Sequence, residues 1–288
     1  MLHQVYIANI KNIIDSYGEN APRWQNESFV LQVSAGKGSA AEGWHFTVRN
    51  GNWTFHTGLY QGEIFIDWND EYKYKDKSKK QIEQETTPDC EIHFRTRKDL
   101  DRWAEAAANT SADKIKAPKA KGRLNAAEKR CFQQLLCDAY HLQMSTFLTD
   151  REKETAARLL LYILPSAINI CGKEGDRDII NFMDGSRRSY AFEVKNLPAC
   201  SAWLTVAGGK GKITSGQGTK LPIYFSLAFD SPDEAIFYFH GTEDFRTEIN
   251  RKAIHFCGAD AYALRDQSRI EAERYAFEQM IRHVFRVI

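Results

Sequence analysis

The stretch "CEIHFRTRKDLDRW", residues 90–103, joins a strand to a helix without a loop between them. Alternate residues from Cys90 to Phe94 are apolar, and this period of two indicates a strand with one buried face. Thr96 stands three residues before Asp99, the spacing of a capping box, in which a hydroxyl and a carboxylate bind free backbone N–H groups at the start of a helix. The stretch therefore predicts a helix that begins at the end of the strand and folds back over the sheet.

A second stretch, "FSLAFDSPDEAIFY" at residues 225–238, makes the same join. Ser231 is the predicted cap, Pro232 suits the first helical position, and Glu234 completes the box. The two joins superpose at a constant offset of 135 residues, which indicates a duplicated unit.

Alternating apolar residues upstream of each join extend the repeat and predict an insertion of about 11 residues in the first copy. Two alignments carry this interpretation: Trp44, Phe46 and Val48 with Tyr190, Phe192 and Val194 at an offset of 146, and Phe29, Leu31 and Val33 with Ile180 and Phe182 as a first strand.

Short gaps between the early strands, such as "RNGNW", have hairpin size rather than the length of crossover helices. We therefore expect an α+β fold of two similar domains with antiparallel strands. The first domain is predicted at 1–147, with its insertion at about 58–88, and the second at 148–288.

The composition is that of an ordinary globular protein, and it excludes some classes of function. Thirty-nine basic and 38 acidic residues leave almost no net charge, which argues against broad nucleic-acid binding. Six cysteines without a CxxC pair favour a cytoplasmic protein with free thiols. The apolar run 159–164 stops at Pro165 and is too short for a membrane span, so no transmembrane segment is expected.

Each candidate metal-binding or phosphate-binding motif in the sequence can also be explained without a functional role. His45, His56 and His93 could bind zinc if their strands were neighbours, but histidines that are solvated on an open sheet face, or covered by the insertion, are the preferred interpretation. The glycine-rich segments 34–43 and 207–218 lack the spacing of a phosphate loop and are interpreted as hairpin loops. No nucleophile and base can be placed from motifs, and we expect neither a cofactor nor a metal.

Two basic runs offer a further alternative. Residues 73–80 and 114–123 are rich in lysine, and solvated loops are the preferred interpretation. An anionic partner, including transient contact with a membrane surface, is the other one.

Apolar residues are abundant around the second join and in the last helix, which carries Phe277 and Met280. Ordinary core explains them, and a hydrophobic cavity between sheet and helices is the sharper alternative. An apolar helix at residues 268–288 would cover a core, fill a cavity or contact a second subunit.

The order of elements resembles the type-two sterol carrier protein family. The resemblance rests on three features: strand pairs around "RNG" and "KNLP", the strand followed by a capped helix at 88–106 and 223–239, and the segment with a glycine before the last helix of each copy. It implies a mostly antiparallel sheet of about five strands, covered on one side by helices, that encloses a tunnel for sterols, acyl chains or similar ligands without catalysis.

The leading hypothesis is therefore a non-enzymatic protein that binds or carries a hydrophobic small molecule in the second copy. The alternative is a structural or interaction protein that dimerises through its C-terminal helix or serves as an accessory subunit of an enzyme. The predicted ligand-binding residues are Phe225, Phe229, Phe237, Phe239, Tyr275, Phe277 and Met280.

Overall fold

The computed structural model of the chain forms two compact units with an α+β fold, which confirms the predicted fold class. The N-terminal unit is Ile10–His141, and the C-terminal unit combines Leu142–Ile288 with Met1–Asn9. The predicted boundary was 147/148, whereas the division falls after His141, and the first nine residues belong with the second copy. The structure describes residues 3–17, 27–62, 86–146, 148–184, 187–207, 210–215, 223–257 and 267–288.

The N-terminal unit contains one five-stranded sheet with helices before and after it. The strand order is β3-β2-β1-β4-β5, with β1 and β4 parallel and the other neighbours antiparallel. In chain order, after α1 (His3–Ala8) of the other unit, its elements are α2 (Ile10–Tyr17), β1 (Ser28–Ala35), β2 (Glu42–Arg49), β3 (Asn52–Thr57), β4 (Cys90–Phe94), α3 (Arg97–Ala108), β5 (Ala120–Gly122) and α4 (Ala126–Met144).

The C-terminal unit repeats this topology. Its strand order is β8-β7-β6-β9-β10, with β6 and β9 as the parallel pair, and one additional helix, α8, follows the capped helix. Its elements are α5 (Asp150–Lys173), α6 (Arg177–Asp184), β6 (Arg187–Val194), β7 (Ser201–Ala207), β8 (Lys210–Ser215), β9 (Ile223–Phe229), α7 (Pro232–His240), α8 (Glu243–Ala253), β10 (Ile254–Phe256) and α9 (Gln267–Val287).

Both predicted joins are present. The Thr96 hydroxyl accepts from the Asp99 backbone N–H at 3.2 Å, and the Asp99 carboxylate accepts from the Thr96 backbone N–H at 3.0 Å, so the capping box is complete. Ser231 caps α7 by accepting from the Glu234 backbone N–H at 3.2 Å. The predicted position of each helix start is therefore confirmed.

The predicted turns are also largely confirmed. Asn50 and Gly51 both adopt positive φ between β2 and β3, as the tight hairpin turn requires. The segment 34–43 connects β1 to β2, while 210–215, predicted as part of a loop, forms β8.

The alignment of the strands before each join was wrong by one strand. The parallel partner of Cys90 is Leu31, and the parallel partner of Phe225 is Tyr190, so β1 corresponds to β6 at an offset of 159 residues. The third strands, β3 and β8, correspond at an offset of 158 residues and the joins are 135 residues apart, so the first copy has 23 more residues between β3 and β4, not 11. Most of these lie outside the described residues, as does the basic run 73–80.

The supposed first strand of the second copy is a helix. Ile180 and Phe182 lie in α6, whose buried residues Ile179 and Met183 are four positions apart and share one helical face. Aliphatic and aromatic residues at mixed spacing fit a strand as well as a helix, and this ambiguity produced the error.

The longest helix of the described residues, α5, begins at a capping box formed by Thr149 and Glu152. It continues through Pro165, where the apolar run 159–164 stops, to Lys173. By length and composition it could cross a membrane, but 78% of its apolar window is buried inside the protein. This burial is typical of a core helix.

Candidate ligand site

The residues predicted to line a hydrophobic tunnel mostly form the close-packed core of the C-terminal unit. Phe277 of α9 stacks on Tyr190 at 4.9 Å between ring centroids and on Phe225 at 6.0 Å. Phe229 contacts Tyr238 at 5.0 Å. These contacts fill the space between the sheet and α9 with protein side chains.

Two of the seven predicted residues do not face that interior. Phe237 is 64% exposed and Tyr275 is 63% exposed, so neither lines an enclosed site. Phe237 lies on the outer side of α7, because the buried residues on either side of it, Ile236 and Tyr238, take the inner positions. Of the remaining two, Met280 is buried and Phe239 is half-buried against Phe285 at 5.6 Å.

The apolar stripe of α9 is buried within its own unit. Phe277, Met280, Ile281 and Val284 recur at helical spacing and are all buried. Polar contacts hold the helix from both sides: Arg188 pairs with Glu273, and Arg282 donates to the Thr247 hydroxyl at 2.8 Å. The stripe therefore serves the intramolecular core, and dimerisation through it stays a prediction.

The three histidines considered for zinc do not converge. His45 and His56 lie opposite each other on β2 and β3 and stack at 4.8 Å, but His93 lies on β4, beyond the intervening strand β1. Each ring has another partner. His45 Nδ1 donates to the Gly58 carbonyl at 2.9 Å, and its half-buried position lowers its pKa.

These histidines belong to a hydrogen-bonded polar face of the N-terminal sheet, formed by Gln32, Ser34, His45, Glu91 and His93. Gln32 Nε2 donates to Glu91 Oε1 at 2.9 Å, and the Ser34 hydroxyl donates to the same oxygen at 2.5 Å. His93 Nδ1 lies 2.9 Å from the Ser34 hydroxyl. Although this is a serine–histidine contact, Ser34 is only 2% exposed and already bonded to Glu91, so it is not an accessible nucleophile.

Leu59 and Tyr60, which follow β3, close over this polar face. A β-carbon at Gly43 would overlap the Leu59 side chain, so Leu59 lies directly against the β2 backbone. The Tyr60 backbone N–H donates to Gln32 Oε1 at 2.7 Å, and its ring meets the His45 ring edge-on at 5.4 Å. The chain thus fills its own concavity in the N-terminal unit.

The corresponding face of the C-terminal sheet carries an open depression of about 620 Å³ at the turn between β6 and β7. This volume is in the range of small-molecule sites. The lining is Glu193–Pro198, Ser201 and Trp203, and it includes none of the seven predicted residues.

Strand register shows that the depression and the filled concavity occupy the same place in the two units. Ser34 pairs with Gly43 and, across the parallel pair, with His93. Glu193 pairs in the same way with Ser201 and Ala228. Glu193 therefore corresponds to Ser34, and Ser201 corresponds to Gly43.

The side chains at the corresponding positions of the two faces also differ. The positions of Gln32 and His93 are taken by Ala191 and Ala228, so the amide and imidazole of the polar face have no counterpart. Trp203 stands where the other sheet has His45.

The wall of the depression is fixed by its own backbone. Val194 N–H donates to the Cys200 carbonyl at 2.9 Å, and Cys200 N–H donates to the Leu197 carbonyl at 2.8 Å. Asn196 adopts a φ of 60°, which asparagine tolerates, and the Ser201 hydroxyl donates to the Pro198 carbonyl at 2.9 Å. The turn is consequently preformed.

Two polar groups at the depression have no partner among the described residues. Burial raises the pKa of Glu193, and neither a hydrogen bond nor an ion pair from the described part of the chain reaches its carboxyl. Within the same ranges, the buried Trp203 Nε1–H has no acceptor. Lys195 is engaged elsewhere, since its ammonium donates to Asp230 at 2.6 Å. Unpartnered groups of this kind in a preformed hollow point to a ligand.

Sequence reasoning missed Glu193 and Trp203. "KNLP" was recognised as a turn, but Glu193, on the polar side of β6, was not considered. The sequence does contain a signal for this site, because Ser189, Ala191 and Glu193 alternate with large apolar residues along β6. Two small side chains on the same face as a glutamate indicate free space beside its carboxyl group.

His283, Asp176 and Asp178 form a further titratable cluster. His283 Nε2 lies 2.8 Å from Asp176 Oδ2, and Nδ1 lies 3.6 Å from Asp178 Oδ2. One ligand atom from each of the three residues lies within 4.8 Å of the others, and the contact of Nε2 with Asp176 is already short enough for a direct hydrogen bond. The geometry is that of a paired imidazole that ties α9 to α6.

The thiols offer no nucleophile in the core. All six cysteines are free. Burial raises the pKa of Cys90, Cys171 and Cys200 to about 11 and that of Cys137 to about 12, so these four are protonated at neutral pH.

Comparison with family models, curated proteins and solved structures found no match to this chain. The resemblance to sterol carrier proteins therefore stays a prediction, and function must be inferred from the site itself.

Proposed function

We propose that the chain is a non-catalytic binding protein whose C-terminal unit holds a small molecule in the depression beside Glu193 and Trp203. One observation carries the proposal. The equivalent place in the N-terminal unit is filled by Leu59 and Tyr60, whereas in the C-terminal unit the described residues leave it open and line it with groups that have no partner among them. The positions that correspond to Leu59 and Tyr60, 217 and 218, lie outside the described residues.

Binding fits the lining better than catalysis does. The Ser201 hydroxyl is committed to the Pro198 carbonyl, and no thiol lines the depression. Glu193 could accept a proton, but no second group beside it is placed to act as nucleophile or acid among the lining residues. We therefore propose a binding role without turnover, in a reducing compartment such as the cytoplasm, where free thiols persist.

The hypothesis of a hydrophobic ligand in a tunnel stays a prediction, but it now requires a movement of α9. Because Phe277 stacks on Tyr190 and Phe225, an apolar ligand could enter the predicted tunnel only if α9 moved away from the sheet. The depression needs no such displacement.

Association with another protein is a second candidate function. It is favoured by Phe237 and Phe245, which are 64% and 36% exposed on α7 and α8. The substitution Phe237→Ser should shift the oligomeric state measured by light scattering if this surface binds a second copy. An unchanged monomeric mass in both proteins would remove the self-association version of this candidate.

The proposed function is tested by following the Trp203 indole N–H in a ¹H–¹⁵N correlation spectrum. The chain has six tryptophans, and the signal lost in Trp203→Phe identifies this one. We expect members of a fragment library to shift this signal, since an unpartnered N–H moves when it gains an acceptor. The proposal fails if no fragment shifts it, or if the same fragments bind equally well after Ser201→Trp, which fills the depression. Ser111→Trp, at an exposed position outside the site, is the matched control.

A further inference from the structure

The charges around the depression are unbalanced, and they indicate its ligand class. Glu193 contributes a carboxyl, while Lys195 is neutralised by Asp230 at 2.6 Å. The remaining basic group that acts on Glu193 is His255, which lies on β10 beyond the intervening strand β9. Ser201 and Trp203, on the other side of Glu193, carry no charge. When ionised, the carboxylate therefore faces the hollow without a direct counter-ion from the part of the chain that the structure describes.

An aromatic surface stands beside this carboxylate. Trp203 is two residues from Ser201, the direct cross-strand partner of Glu193, so the two side chains are diagonal neighbours about 7 Å apart. Tryptophan is the most favourable aromatic partner for a cation. The filled concavity shows that a ring fits this position, because Tyr60 contacts His45 there.

We propose that the ligand is an organic cation, an amine joined to a flat apolar or aromatic body, with its ammonium on Glu193 and its body against Trp203. This inference rests on the proposed function, because it assigns a ligand class to the same depression. The ammonium supplies the charge that the site lacks, and the body occupies the position that Tyr60 has in the other unit.

The proposal requires a definite pH dependence. Burial raises the pKa of Glu193, so lowering the pH protonates the carboxyl before it would protonate an exposed glutamate. A cation binds the ionised form, and its affinity must therefore rise with pH through the pKa of Glu193 and then level off. Binding releases a proton over that interval.

The test compares four small probes that share one ring: benzylamine, benzyltrimethylammonium, benzyl alcohol and benzoate. Dissociation constants come from titrating the Trp203 indole signal of the full chain. We expect both cations to bind at least tenfold more tightly than benzyl alcohol, and benzoate not to bind. In Glu193→Gln the cation preference should disappear, whereas Glu91→Gln, a carboxylate on the matching face of the other sheet, should keep it.

The outcomes separate the two proposals. Benzyl alcohol or benzoate binding as tightly as benzylamine at Trp203 would overturn the cation inference and leave the binding site standing. A signal that no probe shifts would overturn both. If Glu193→Gln does not fold, the wild-type pH series decides, because a cation affinity that is flat between pH 4 and pH 8 contradicts the role of Glu193.

Discussion

The matching faces of the two sheets have the same strand topology, but among the described residues one face is covered by side chains and the other carries an open depression. In the N-terminal unit Gln32, Glu91 and Ser34 bond to one another, and Leu59 and Tyr60 cover them. In the C-terminal unit the counterparts of Gln32, Glu91 and Ser34 are Ala191, Ser226 and Glu193. The carboxyl group of this face thus lies on β4 in the N-terminal sheet and on β6 in the C-terminal sheet. At the second position no amide among the described residues donates a hydrogen bond to it.

This difference shows how a duplicated fold can separate stability from binding. A satisfied polar network rigidifies the face that it occupies, whereas an unpartnered carboxyl in a hollow costs stability and is retained where it serves a ligand. The N-terminal unit follows the first pattern and the C-terminal unit the second. Four predictions test this contrast.

The largest effect is expected from Phe277→Ala, which tests whether the other face of the C-terminal sheet is filled. Phe277 is fully buried and stacks on Tyr190, so its removal should lower the free energy of unfolding by about 3–5 kcal/mol. Urea titration measures the loss. Tyr275→Ala on the same helix, at an exposed position, is the control and should change it by less than about 0.5 kcal/mol.

A small cost for Phe277→Ala would contradict the packed core. A loss below about 1 kcal/mol, together with uptake of added oleate, would instead support the predicted hydrophobic tunnel.

The next largest effect is expected from Gln32→Ala, which gives the N-terminal sheet the side chain found at Ala191. The substitution leaves the Tyr60 N–H without its acceptor and Glu91 without one of its donors. We expect a loss of about 2 kcal/mol, since each orphaned group costs about 1–3 kcal/mol. Equal stability of Gln32→Ala and wild type in urea titration would mean that the network contributes nothing.

A smaller effect separates Gly43→Ala from Ser201→Ala, substitutions at corresponding positions. The added methyl group at Gly43 overlaps Leu59, and we expect a loss of about 1–2 kcal/mol because a half-buried leucine can partly shift. Ser201→Ala borders the open depression and loses one hydrogen bond, worth about 1 kcal/mol or less.

A double-mutant cycle sharpens the Gly43 prediction. Adding Leu59→Ala should relieve the overlap, so the pair should cost less than the sum of its single substitutions. Strict additivity would show that Leu59 does not lie against Gly43.

The sequence predicted well those features that depend on neighbouring residues. Thr96 with Asp99 and Ser231 with Glu234 specify helix starts within four residues of chain, and both helices begin there. The duplication was recognised for the same reason, because each join contains its own capping residues.

Features that depend on strand order were not predictable in the same way. The offset of 159 between β1 and β6 follows from the parallel pairing of Leu31 with Cys90, a contact across 59 residues that no local pattern encodes. The depression is harder still to predict, because its lining combines side chains of two strands with the turn between them. The predicted ligand-binding residues were chosen mainly because they are large and aromatic, and most of them are part of the core.

The smallest effect is expected from Glu193→Gln, and its sign is the decisive quantity. Burial raises the pKa of Glu193 in the folded protein above the value in the unfolded chain. Below the unfolded pKa both states are protonated and the group does not affect stability. As the pH rises through the folded pKa the ionised group destabilises the fold, so glutamine should raise the melting temperature at pH 7 but not at pH 4.

The gain should stay below about 1 kcal/mol, because solvent screens a half-exposed carboxylate and His255 partly stabilises its charge. Thermal unfolding at the two pH values measures it, with Glu91→Gln as the matched control. That substitution should destabilise the protein, since Glu91 accepts two hydrogen bonds. If Glu193→Gln also lowered the melting temperature at pH 7, Glu193 would be a structural group like Glu91, and the contrast between the two faces would lose its functional meaning.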